Sequence, residues 1–283
     1  MKSISEVPLS WSRSDIEQRL GVRGGRFTQV NSVLTFLGGL ILSVCFYAAL
    51  IPLEGTYFAE MFTQRGPTQH AAVLLSCWSL VILSIKWRKL AFQRKALGYT
   101  VVPESHDFVL SAATVDQVTQ RIASTVDDPR NFVLFNRITI ALSNLRNLGR
   151  VSDVDNILRS EASQEEGSME TSYSLVHGFV WAIPVLGFIG TVLGLSQAIG
   201  AFSSVLGSAT DVSEISVALR GVTAGLATAF ETTLVALVAA LAIQLLLTAL
   251  KKAEEDFLDD CAEYCIRHIV GRLRVMPFEQ EVE

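Results

Sequence analysis

Residues 177–200 read HGFVWAIPVLGFIGTVLGLSQAIG, and this stretch decides the fold of the chain. It contains no Asp, Glu, Lys or Arg, and an apolar helix of this length spans a bilayer. Gly187, Gly190 and Gly194 are spaced three and four apart, so they share one helical face. In lipid such a face allows another helix to approach closely. Thr191 on this face is either a packing residue bonded to its own backbone or a functional hydroxyl.

A second helix of the same kind follows from Gly221 to Ala240, with the sequence GVTAGLATAFETTLVALVAA. Its small residues recur every fourth position and form a stripe that matches the first one. The members of this stripe are Gly221, Gly225, Ala229 and Thr233. The two stripes predict close helix contacts.

Glu231 is the one carboxylate placed deep within a predicted span. An acidic side chain there is costly, so it is a functional-site hypothesis by default. Thr228 and Thr232 lie beside it on a face that differs from the small-residue stripe. Three readings stay open: a proton relay, a structural hydrogen-bonding group held by Thr228 or Thr232, or a group in a wet vestibule.

The two helices together resemble the signature of the MotA/TolQ/ExbB proton channel family. The first half of that signature is Pro184-x-x-Gly187-x-x-Gly190-Thr191-Val192-x-Gly194, and the second half is the Gly221–Ala240 helix. The resemblance implies a homopentamer around a dimer of a MotB-, ExbD- or TolR-like protein, whose single span carries an Asp. It also implies that Thr191 faces the ion pathway.

On the second helix the resemblance is less direct, because the family's threonine aligns with Val222 and Thr223 lies one residue further on. The predicted ion pathway consists of Thr191, Thr223, Thr228, Glu231, Thr232 and Thr233. The predicted helix-packing and partner interface consists of Pro184, Gly187, Gly190, Gly194, Gly221, Gly225 and Ala229.

Composition also indicates a membrane protein, since half of the 283 residues are hydrophobic and the mean hydropathy is +0.39. The net charge of −5 argues against nucleic acid as a partner. Cys261 and Cys265 share a helix face, but His268 is their one neighbouring further ligand, so no metal site is predicted. We expect no cofactor besides the transported proton or sodium ion. The absence of a nucleophile–base set and of a phosphate-binding loop predicts no enzyme.

Four membrane spans are predicted in an all-α chain, and the basic cluster between Lys86 and Lys95 places both termini on the cytoplasmic side. The predicted spans are 30–51, 71–88, 174–201 and 218–250, the external loops are 52–70 and 202–217, and the cytoplasmic parts are an N-terminal segment 1–29, a helical domain 89–173 and a C-terminal helix and tail 251–283.

Three further expectations concern side chains. Lys86, Arg88 and Lys89 should extend their charges to the membrane interface. Trp78 suits an interfacial or lipid-facing position. The charges of residues 96–173 should form mostly a solvated face, and residues 14–17 should open a short surface helix.

The function predicted from these observations is that of a stator-like motor subunit in a bacterial inner membrane. With its single-span partner it would couple proton or sodium motive force to mechanical work on the cell envelope. A non-conducting pentameric scaffold is the alternative. A small-solute secondary transporter is a weaker third reading, because the chain shows no inverted repeat and no pair of broken helices.

Overall fold

The computed structural model describes residues 8–22, 24–63, 66–103, 110–111, 113–148, 151–206 and 212–273. Most of these residues are helical, and the described part contains isolated β-bridges but no β-strand. The all-α prediction is therefore confirmed. The α-helices are α1 (Trp11–Ser14), α2 (Ile16–Arg19), α3 (Ser32–Leu50), α4 (Tyr57–Thr63), α5 (Pro67–Arg94), α6 (Val115–Thr125), α7 (Val133–Leu148), α8 (Val151–Ser172), α9 (Ser174–Leu206) and α10 (Val212–His268).

Four helical stretches of the described chain are long and apolar enough to cross a membrane, as predicted. They are Ser32–Leu53, Pro67–Gly98, Val154–Ser203 and Ile215–Arg272. Each includes all or most of one of the long helices α3, α5, α9 and α10.

The ends of the helices differ from the predicted bounds. The predicted external segment 52–70 contains α4 and the first residues of α5, which runs on to Arg94. The predicted loop 202–217 is shorter, because α9 continues to Leu206 and α10 starts at Val212. Residues 207–211 between them lie outside the described residues.

The chain divides into two compact units, which we name for their composition. The span unit comprises Ser32–Leu83 and Ser174–Thr248, and the polar unit comprises Met1–Asn31, Ser84–Tyr173 and Ala249–Glu283. The span unit holds α3, α4, α9 and most of α5, and the polar unit holds α1, α2 and α6–α8.

In the span unit, α3 packs closely on α5 because Gly39 has no side chain. A Cβ atom at Gly39 would lie 2.7 Å from the Cα atom of Trp78. The Trp78 indole donates a hydrogen bond to Thr35 Oγ1 at 3.1 Å and packs against the rings of Phe36 and Phe179. Trp78 is half-buried and joins helices of the same unit, and its interfacial or lipid-facing position stays a prediction.

In the polar unit, the N-terminal segment is part of the core. The Trp11 ring is 2% exposed and packs against Phe92 and Phe132, with ring centroids 5.8 and 5.4 Å away. Asp127 accepts hydrogen bonds from the backbone N–H groups of Trp11 and Ser12 at 2.9 and 3.0 Å. Burial alone would raise the pKa of Asp127, but these and neighbouring donors outweigh it and lower the pKa.

The short helix expected at residues 14–17 is not a surface helix. Helix α2 starts at Ile16, and Asp15 caps it by accepting from the Glu17 N–H. Asp15 and Glu17 are both buried beside Lys89. Burial raises the pKa of Asp15, although Lys89 opposes the shift.

Two lysines that were expected to reach the membrane interface are buried instead. Lys89 Nζ lies 2.5 Å from Glu17 Oε2, and Lys86 Nζ lies 3.5 Å from Glu254 Oε2. Each lysine also donates to a neighbour, Lys89 to the Gln29 carbonyl and Lys86 to Ser172 Oγ, both at 2.8 Å. The side chains are buried because carboxylates of the same unit supply their counter-charges. Arg88 remains exposed.

The charged residues between positions 96 and 173 include one buried ion pair, Arg137 and Glu165. For these two residues the expectation of a solvated face is wrong. Arg137 donates two hydrogen bonds to Glu165 Oε2, at 3.0 and 2.5 Å. Both side chains are almost fully buried between α7 and α8. Arginine suits such a place because its planar guanidinium offers several donors to one carboxylate.

Candidate functional site

The two small-residue stripes pack against each other within one chain. A Cβ atom at Gly187 would lie 2.6 Å from Ala236 Cβ, and one at Gly225 would lie 2.6 Å from Ala198 Cβ. Between these two crossings, Gly194 lies against Ala229. We call this contact of α9 and α10 the seam. Its close approach requires glycine, because any larger side chain would push the helices apart.

Two further glycines of the predicted interface behave differently from each other. A Cβ atom at Gly190 would lie 2.8 Å from Thr68 Oγ1 of α5 and 3.2 Å from Thr232 Oγ1 of α10. A Cβ atom at Gly221 would meet no described atom within 4 Å. Gly190 therefore lies where three helices meet, whereas Gly221 is exposed.

A pair of hydroxyls lies in the seam, where the side chains of Thr191 and Thr233 are within hydrogen-bonding distance of each other. Thr191 Oγ1 also lies 3.0 Å from the Ala229 carbonyl and 3.2 Å from the Gly187 carbonyl. Thr233 Oγ1 lies 3.1 Å from the same Gly187 carbonyl. Each hydroxyl has one proton to donate and two lone pairs that accept, so the pair retains accepting capacity.

On α10 the hydroxyl that contacts Thr191 is therefore that of Thr233. Thr223 does not take part in this contact. Thr223 is exposed and bonds the Arg220 carbonyl of its own helix at 2.9 Å. Helices α9 and α10 are antiparallel, so residues later in α9 contact residues earlier in α10. The contacts of Gly187 with Ala236 and of Gly225 with Ala198 fix this register. The family's motif has its threonine at the position of Val222, whereas in this chain the hydroxyl that meets Thr191 comes from Thr233.

Thr228 and Thr232 both bond carbonyls of their own helix. Thr228 Oγ1 lies 3.0 Å from the Ala224 carbonyl, and Thr232 Oγ1 lies 2.7 Å from the Ala229 carbonyl. Threonines in membrane helices commonly satisfy their hydroxyls in this way. Thr232 is fully buried against the seam.

Glu231 has a partner that the sequence did not suggest, because its Oε1 atom accepts a hydrogen bond from the Tyr57 hydroxyl of α4. At 1.5 Å per residue, Glu231 lies about 30 Å along α10 from Lys251. This equals the thickness of the hydrocarbon core. Glu231 is half-buried, and its depth in a membrane stays a prediction.

Only a weak signal could have identified Tyr57 beforehand. It begins an aromatic run, Tyr57-Phe58, in a segment that was expected to be an external loop. Its hydroxyl is a donor in a place where aromatic residues with a polar tip are common. No spacing rule connects it to Glu231.

The described residues contain no group of three or more His, Cys, Asp or Glu side chains that could hold a metal ion. Cys261 and Cys265 are free and buried in the polar unit. Their low exposure is typical of structural thiols.

Comparison with known proteins gives one finding. Residues 133–262, somewhat less than half of the chain, match the family model of the MotA/TolQ/ExbB proton channel family. This range starts at the first residue of α7 and ends within α10, so it contains the whole seam and both of its threonines. No curated protein and no solved structure matches the chain significantly.

Proposed function

We propose, from the match of residues 133–262 to the MotA/TolQ/ExbB proton channel family, that the chain is the channel-forming subunit of an ion-driven motor. Five copies surround two copies of a partner of the MotB, ExbD or TolR kind, whose single span carries an Asp. Protons, or sodium ions, move between this subunit and the partner. The resulting movement of the partner performs mechanical work on the cell envelope.

The observation that carries this proposal is the hydroxyl pair of Thr191 and Thr233. It lies in the candidate membrane spans formed by α9 and α10, inside the range that matches the proton channel family. A hydroxyl stabilises a nearby carboxyl in either protonation state, because it both donates and accepts. It can equally replace part of the hydration shell of an ion. The two threonines therefore have the chemistry that an ion pathway beside a partner Asp requires.

Assembly is supported by the outer faces of the seam helices, which are apolar and unpaired within the chain. Phe188 and Val192 of α9, and Phe230 and Leu234 of α10, are all at least half exposed. Lipid, neighbouring copies and the partner span would cover these faces. Large exposed apolar patches mark such contacts.

The orientation follows from the positive-inside rule, and we place the chain in a bacterial inner membrane with both termini in the cytoplasm. Helix α4 then lies on the external side. Glu231, which accepts a hydrogen bond from Tyr57 of α4, is two residues from Thr233 of the seam. In this position it serves as a proton-accepting group for ions that approach the seam.

The test is ion flux through vesicles containing the chain co-purified with the single-span protein encoded beside it. Thr191→Val and Thr233→Val keep the side-chain shape and remove the hydroxyls. Each should reduce flux at least tenfold, while native mass measurement still shows five copies with two partners. Thr248→Val is the matched control, since Thr248 is an exposed threonine of α10 far from the seam. Flux that is unchanged in both seam variants would contradict the assignment.

A non-conducting scaffold is the second candidate, and one observation favours it. The Thr191 hydroxyl has acceptors within its own chain, in the Gly187 and Ala229 carbonyls, so packing alone accounts for it. The same vesicles separate the two functions. A scaffold would show no flux in the wild-type complex, and the threonine variants would lower its thermal stability instead.

A further inference from the structure

Three buried ionisable side chains meet in the polar unit, where the segment before α3 packs on α5. Asp15, Glu17 and Lys89 are 3%, 0% and 4% exposed. If all three were ionised, two negative charges would share one positive charge. An unpaired buried charge is costly, and a carboxyl group avoids that cost by keeping its proton. The hydrogen bonds decide which of the two carboxyl groups is in excess.

Lys89 uses its hydrogen bonds on acceptors other than Asp15. An ammonium group has three donors. Lys89 Nζ lies 2.5 Å from Glu17 Oε2, and its other two donors are used by the carbonyls of Gln29 and Gly25, at 2.8 and 3.5 Å. Asp15 Oδ1 lies 3.6 Å from Lys89 Nζ, which is longer than a hydrogen bond. Glu17 is therefore the carboxylate that pairs with the lysine.

The backbone donors divide in the same way. Glu17 accepts hydrogen bonds from the N–H groups of Gly25 and Asn31, at 3.1 and 2.6 Å. Asp15 Oδ1 accepts from the Glu17 N–H at a longer 3.3 Å. Asp15 Oδ2 is buried and has no hydrogen-bond partner among the described residues. Asp15 is therefore the carboxyl group in excess, and Oδ2 is the oxygen with no donor to stabilise a negative charge.

Gly24 brings the two carboxyl groups close together. A Cβ atom at Gly24 would lie 2.6 Å from Asp15 Oδ2 and 2.8 Å from Glu17 Oε2, so these two oxygens are at most 5.4 Å apart, the sum of the two distances. Burial raises the pKa of Asp15, Lys89 offsets part of the shift, and the charge of Glu17 adds to it. Arg88 of α5 lines the small recess beside Asp15, but it is exposed, so the solvent screens its charge.

We propose that Asp15 is a proton-binding switch, which keeps its proton while the segment Asp15–Asn31 is packed on α5 and loosens that segment when it ionises at higher pH. Because the packed state holds the proton, its stability is complete below the ordinary pKa of 3.8 and is lost as pH rises through the raised folded pKa. In the proposed orientation, the solution that sets the switch is the cytoplasm. The switch does not require ion conduction, so it stands or fails separately from the proposed function.

Infrared spectroscopy of the full chain in micelles tests the proton. A protonated carboxyl group has a carbonyl band that a carboxylate lacks. In the difference spectrum between wild type and Asp15→Asn, this band should be present at about pH 5 and should decrease by about pH 8. Asp116→Asn, at an exposed position of α6, is the matched control and should leave the band in place. A band that is absent at about pH 5, or that stays unchanged to about pH 8, would overturn the proposal.

Hydrogen exchange tests the segment. Protection factors of residues 15–31, corrected for the intrinsic exchange rate, should fall in the wild type by up to about tenfold per pH unit, because one proton is released. Asp15→Asn keeps an acceptor for the Glu17 N–H but cannot ionise, so its protection should stay constant over the same range. Peptides of α7 are the internal reference and should not change. Equal pH profiles in wild type and Asp15→Asn would contradict the switch, and a parallel loss in α7 would replace it with global unfolding.

Discussion

The buried charges of Lys86 and Glu254 offer the sharpest test of the polar unit. Lys86 Nζ has no exposed surface, and its ammonium group lies 4.1 Å from the centre of the Tyr173 ring. Glu254 accepts hydrogen bonds from the hydroxyls of Tyr173, at 2.5 Å, and Thr28. We call these four residues the lysine cluster. The perturbation is Lys86→Met, which keeps the length of the side chain and removes its charge.

The expected loss of stability in Lys86→Met follows from the charge of Glu254, which stays buried without its lysine. Removing one member of a buried ion pair costs about 3–5 kcal/mol, because the other charge stays buried. Glu254 would keep its two hydroxyl donors, which places the loss near the lower end, at about 3 kcal/mol. The double variant Lys86→Met/Glu254→Gln leaves no buried charge and keeps a carbonyl acceptor for one hydroxyl. It should therefore be more stable than the single variant.

The assay is reversible denaturant unfolding of the purified chain in mixed micelles, with the free energy compared at constant slope. Lys251→Met is the matched control on α10. Lys251 pairs with Glu170 and Glu255 at the surface, so this change should cost less than about 1 kcal/mol. If Lys86→Met costs no more than Lys251→Met, the lysine cluster is not a buried ion pair in the folded protein, and the reasoning fails.

Two further predictions concern topology and pH. Gly55 and Thr100 are both exposed. Cysteine introduced at Gly55 should react with a membrane-impermeant maleimide added from the external side, and cysteine introduced at Thr100 should not. Reaction at Thr100 from outside would contradict the proposed orientation. The lowered pKa of Asp127 means that its contribution to stability is complete above the ordinary value of 3.8 and is lost as pH falls through the lower folded pKa. Hydrogen exchange at the Trp11 and Ser12 amides should therefore accelerate only in strong acid, but already at neutral pH in Asp127→Asn, and equal protection in that variant would show that Asp127 does not hold the segment.

Hydrophobic length and glycine spacing predicted the four candidate spans and the close packing at Gly187, Gly194 and Gly225, but not the exposure of Gly221. Both are local properties, because apolar runs and positions three or four apart need no knowledge of distant residues. The match of residues 133–262 supports the same assignment independently. The all-α structure with four candidate spans was also predictable because helix-forming apolar runs are a local property of the sequence.

Charges were the weak point of the sequence analysis. The cluster at Lys86 and Lys89 was interpreted as a group reaching the membrane interface, which is the usual role of basic residues at a span end. Their carboxylate partners, Glu254 and Glu17, are far away in sequence, so no local pattern could connect them. The hydrogen bond between Tyr57 and Glu231 escaped prediction for the same reason, although Glu231 itself was a candidate site residue. The pairing of Thr191 with Thr233 depended on the ends of α9 and α10, which composition locates only within a few residues.

The hydrogen bond between Thr28 and Glu254 has a consequence for how the protein is made. These residues are 226 positions apart, and both belong to the lysine cluster. At a synthesis rate of about 5–20 residues per second, roughly 11–45 s pass between the emergence of Thr28 and that of Glu254 from the ribosome. Throughout this interval the N-terminal segment has been translated but cannot complete its buried contacts. Its packing against the lysine cluster is complete only after Glu254 has been synthesised.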